Sequence, residues 1–159
     1  MKCSDDLYDA NNEVKYASAI GILCGLASAA ATVYNIDAAY IFIAILIGNL
    51  LALKVDGIHH VVTLLVFIVI CLICGIPDLN IIVLLICILA ALSDEIGHEM
   101  ISKVTDNRFL NLFFEYRFVM KIVILMLAVS GVFNIWIFVC FISFEIAYVI
   151  AGIVFEKLN

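Results

Sequence analysis

The chain has 159 residues, 67% hydrophobic and 14% charged, with a net charge of −6. Ordinary soluble domains are about half apolar and about a quarter charged, and one compact core of this length could not hide such an excess of apolar side chains. The composition excludes a soluble, secreted or disordered protein, and no basic footprint for nucleic acid exists. It leaves an all-α, polytopic membrane helix bundle.

Residues 1–15 read as a short polar cytoplasmic tail. The tail is acidic where a signal peptide would be basic, so the first apolar stretch is expected to be retained as a true span. Asp5-Asp6-Leu7-Tyr8-Asp9 matches the DDxxD pattern by which isoprenyl diphosphate synthases hold Mg-diphosphate. In an acidic tail the first expectation for such a stretch is a solvated or helix-capping segment.

Residues 16–159 read as a single transmembrane domain of about six helices. The apolar stretches are Tyr16–Tyr34, Ala38–Leu53, Val61–Ile76, Ile81–Leu92, Phe118–Phe133 and Ile135–Phe155. Several are shorter than the roughly 20 residues a span needs, so flanking polar residues are expected to continue the helices into the interface. Breaks fall at Asn35–Asp37, at Pro77-Asp78-Leu79-Asn80 and at Ser130–Asn134.

Counting crossings puts the N-terminus, Lys54–His60, Ser93–Lys121 and the C-terminus on one side. All eight basic residues then share that side: Lys2, Lys15, Lys54, Lys103, Arg108, Arg117, Lys121 and Lys157. The positive-inside rule makes it cytoplasmic, with both termini in. The isoleucine-rich composition points to a prokaryotic cell membrane. Residues 100–118 alternate apolar and charged side chains, which predicts one or two short amphipathic helices in the cytoplasmic interface. Arg108, Arg117 and Lys121 would there offer charge to lipid phosphates.

Two polar motifs share one pattern: Lys54-Val55-Asp56-Gly57-Ile58-His59-His60 and Ser93-Asp94-Glu95-Ile96-Gly97-His98-Glu99. Each is an acid, two residues, a His and then another donor group, expected at the cytoplasmic ends of the second and fourth spans. On a helix, positions i, i+3 and i+4 share a face, so an acid and an imidazole one turn apart can hold one divalent metal. Asp56, His59, Glu95 and His98 are the expected ligands of Fe, Mn, Zn or Mg. Glu99 or His60 would serve as general base. Asn49, Asp94 and Glu115 could line the site. Glu145, alone in the last span, is a candidate proton carrier or substrate contact.

Acidic motifs at the same-side ends of alternate helices resemble those of intramembrane prenyltransferases over Lys54–His60 and Ser93–Asp106. That resemblance would imply Mg and an isoprenyl diphosphate. The family's paired aspartates are replaced here by Asp/His and Glu/His. Cys71-Leu72-Ile73-Cys74 is a CxxC, but without a loop cysteine pair to relay electrons it reads as apolar filler.

The functional expectation is a metal-dependent enzyme acting on a membrane lipid or isoprenoid. The alternatives are a small transporter using Glu145, or a non-catalytic subunit of a larger membrane complex. Homo-oligomerisation fits each of these.

Overall fold

The computed structural model describes residues 2–11, 13–55 and 57–158, and among them lie eight helices and no strand. In chain order these are α1 (Lys2–Asn11), α2 (Val14–Tyr34), α3 (Ile36–Leu51), α4 (Ile58–Cys74), α5 (Ile81–Val104), α6 (Arg108–Glu115), α7 (Phe118–Val129) and α8 (Ile135–Leu158). Three stretches are long and apolar enough to cross a membrane: Val14–Tyr34, Ile81–Ile101 and Ile135–Phe155. Helices α3, α4 and α7 are apolar but shorter, with 16, 17 and 12 residues. Large apolar side chains stand on the outside, with Leu72 and Ile73 of α4 each more than three-quarters exposed. A water-facing protein would not carry so extended an apolar surface.

The expected breaks are present. Asn80 caps α5, its side-chain oxygen accepting from the Ile82 and Val83 amides at 2.9 and 3.4 Å. Between α7 and α8 the turn is made by Gly131 at φ 78°, a left-handed conformation that suits glycine. Helix α5 continues past Leu92 through the flanking polar residues to Val104, as expected, since none of them is a helix-breaking proline. One boundary differs from the sequence reading. The first polar motif does not end a helix: α3 stops at Leu51, and His59 is the second residue of α4. The acidic tail also forms a helix, α1, instead of a solvated segment.

The helices divide into two compact units. In the first, α1 and α4 pack on α2, and most of α8 belongs to the same unit. In the second, α3 and α7 pack on α5, with α6 against α5 and α7. Pairing is therefore interleaved along the chain, α2 with α4 and α3 with α5.

Within the first unit, small residues let the backbones close. Ala17, Gly21, Gly25, Ala29 and Thr32 are the buried residues of α2 and recur at helical spacing. A Cβ on Gly25 would stand 2.8 Å from the Thr63 carbonyl oxygen and 3.1 Å from the Val66 Cβ. Such close approach is the usual basis of helix association where water supplies no drive.

Within the second unit, polar contacts fix the ends. The Asn134 amide donates to Asp37 Oδ2 at 2.8 Å, and the Asn80 amide donates to the Tyr40 hydroxyl at 2.6 Å. The Tyr40 ring stacks on Phe133 at 5.4 Å between centroids.

Gly25→Val should overpack the α2–α4 contact and cost about 1–3 kcal/mol. Thermal denaturation of the detergent-purified protein would show a lowered midpoint. An unchanged midpoint would mean the two helices do not meet at this residue.

Candidate metal centre

The first polar motif finds its partner in α1. Asp5 Oδ1 lies 3.0 Å from His59 Nε2 and 3.5 Å from His60 Nε2. One carboxylate oxygen thus faces two imidazole nitrogens, and all three donor atoms fall within 4.8 Å of one another. Neighbouring positions on a helix diverge by about 100°. Their rings nevertheless come to 4.2 Å between centroids at the first turn of α4.

His59 is 2% exposed. Tyr8 of α1 covers it, ring to ring at 4.6 Å. Gly57 stands against its other side: a Cβ there would fall 2.6 Å from Nδ1, so a side chain would displace the ring. The Thr63 hydroxyl donates to the His59 carbonyl at 2.8 Å. Nδ1 of His59 is buried without a hydrogen-bond partner among the described residues. Burial pushes the Asp5 carboxyl above its ordinary value, against the pull of His60 and of the His59 hydrogen bond.

Two imidazoles and one carboxylate form a mixed N/O donor set suited to borderline divalent metals. Bonds of about 2.0–2.2 Å to one ion would leave ligand atoms about 3.0–3.5 Å apart. The two Asp5–His separations match that spacing. A set of three protein ligands also leaves coordination positions open, as catalytic sites do and structural ones do not.

The second polar motif is engaged differently, inside the second unit. Asp94 is 2% exposed and caps the start of α7: Oδ1 accepts from the Val119 amide at 3.0 Å and Oδ2 from the Met120 amide at 2.7 Å. Helix α7 needs this borrowed cap, because Arg117 at its N-cap position has φ 51° and offers no side-chain cap. Arg117 pairs with the buried Glu95 at 2.9 Å instead of standing free for a lipid phosphate. Lys121 donates to the Tyr116 carbonyl and stands 5.2 Å from the centre of the Phe118 ring.

The remaining expected site residues are placed as follows. Asp56 lies outside the described residues. His98 is exposed on α5, and Glu99 is exposed and paired with Lys54 at 2.6 Å. Asn49 is half-buried on α3, Glu115 is exposed at the end of α6, and Glu145 is half-buried in α8. His59 and His60 belong to the first unit, and Glu95 and His98 to the second. Asp5 and Tyr8 were absent from the expected site. Their only signal in the sequence is the DDxxD match.

The chain matches no protein-family model, no curated protein and no solved structure.

Asp94→Ala should leave two amides at the start of α7 without acceptors, at a cost of about 1–3 kcal/mol for an unsatisfied buried donor. Thermal denaturation in detergent would show the loss, and Asp94→Asn, which keeps one acceptor, should lose less. Equal stability of all three proteins would remove the capping role.

Proposed function

We propose that the chain is a six-span membrane protein with both termini cytoplasmic, carrying a divalent transition-metal centre at its cytoplasmic face. The observation that carries this reading is the approach of Asp5 to both His59 and His60. The three long apolar helices, the three shorter ones and the one-sided distribution of basic residues support the topology. Helix α6, with Phe109 and Leu112 exposed beside Arg108, suits the cytoplasmic interface.

Two imidazoles favour Zn, Fe or Mn over Mg, which prefers oxygen donors. Such an ion, when bound, acidifies a coordinated water or polarises a substrate oxygen. The substrate class proposed is a lipid or isoprenoid, whose headgroup would reach a site at the cytoplasmic ends of the spans. His59 and His60 serve as ligands in this reading, and Asp5 completes the set.

Elemental analysis of the detergent-purified protein tests the centre. A stoichiometric metal is expected, lost in His59→Ala and in His60→Ala and retained in His98→Ala. Loss in His98→Ala as well would overturn the three-residue set of Asp5, His59 and His60. Absence of metal from the wild-type protein, even after dialysis against Zn or Mn, would overturn the reading.

A further inference from the structure

Helix α1 is short and polar, with the sequence KCSDDLYDAN. Side-chain contacts hold it to the first unit. The buried Ser4 hydroxyl donates to the Ala17 carbonyl at 2.8 Å, and Asp5 meets the two histidines. Tyr8 lies on His59, while the aliphatic part of Lys2 passes over Gly152 of α8. Cys3 lines an apolar groove with Ile150, Val154 and Phe155. Six of its ten residues are polar or charged, and a short polar helix at a chain end is the kind of element that opens locally at low free-energy cost. Yet α1 supplies one of the three donor atoms and covers a second, since His59 is buried beneath Asp5 and Tyr8.

We propose that α1 is a lid over His59 and His60, and that a divalent transition metal fastens it by joining Asp5 to the two imidazoles. The proposal rests on the metal reading above and adds its regulation. Ion entry requires the helix to lift, and a bound ion shifts the helix to the closed position. A ligand that binds only the closed form lowers the open population by the factor 1 + [L]/Kd.

Cys3 reports the opening, because the other five cysteines lie in apolar helices: Cys24 in α2, Cys71 and Cys74 in α4, Cys87 in α5 and Cys140 in α8. The experiment uses the full chain with those five changed to Ala, in detergent. Labelling of Cys3 by a water-soluble maleimide is followed with and without Mn, and bound Mn is measured in the same samples. Mn is chosen because it has low affinity for thiols.

Labelling is expected to slow by up to about 100-fold at a free metal concentration of 100 times Kd, the limit being set by the partial exposure of Cys3 in the closed form. In Asp5→Asn the protection should largely disappear. In Ser4→Ala, which removes a contact of α1 but no ligand, labelling without metal should quicken and added metal should restore protection. Bound metal with unchanged Cys3 labelling would overturn the lid and leave the metal centre standing. Protection that persists fully in Asp5→Asn would overturn it too, since shielding would not run through the carboxylate. No bound metal in the parent protein would overturn the metal centre itself, and the lid with it.

Discussion

A carboxylate removed from water must meet a proton, a cation or a set of N–H donors, or its burial costs several kcal/mol. In a chain that is 14% charged, few positions supply any of these. The buried acids therefore decide which segments must come together. Asp94 takes two amides at the start of α7, Glu95 takes the Arg117 guanidinium, and Asp37 takes the Asn134 amide. The half-buried Asp5 takes two imidazoles. The first three join helices to turns within the second unit, and their donors are used up in doing so. Asp5 differs, because its partners are themselves metal-ligating groups.

The histidines are placed by packing as much as by charge. Gly21 and Gly25 bring α2 against the first turns of α4, with the His59 carbonyl among the closest atoms to Gly21. Gly57 then leaves room for the His59 ring, and Tyr8 closes over it. A larger residue at Gly21 or Gly25 would move the imidazole together with its helix, whereas one at Gly57 would push on the ring itself. The donor set is thus fixed on two sides by helix–helix contact and on the third by the polar side of α1.

The sequence was informative where local physics decides. Apolar stretches, the Pro77 break and the Gly131 turn report their own conformation, and all three appear where expected. The histidines stood out because they are few and share two polar motifs. What it could not show was which acid each motif would meet. Asp56 and Glu95 sit at helical spacing from His59 and His98 and were the natural partners on that ground. His59, however, opens a helix, and its contact comes from Asp5, far upstream, through the docking of α1 on the first unit. Arg117 is another such case. On an amphipathic segment its charge reads as facing the headgroups, and only the fold shows Glu95 holding it. Each miss is a tertiary pairing between segments that no local pattern connects.

The interleaved pairing of α2 with α4 and α3 with α5 bears on the order in which the chain can be built. Helices emerge in sequence during synthesis, so α2 must wait through the making of α3 before its partner exists. When α4 arrives, α3 is still waiting for α5. Each helix is therefore made with its small-residue face uncovered, and Gly25 and Gly48 stay open for one helix longer than in a simple hairpin. A chain halted after Pro77 would hold a finished α2–α4 contact beside an α3 with nothing to pack on, and that orphan helix is what quality control would recognise.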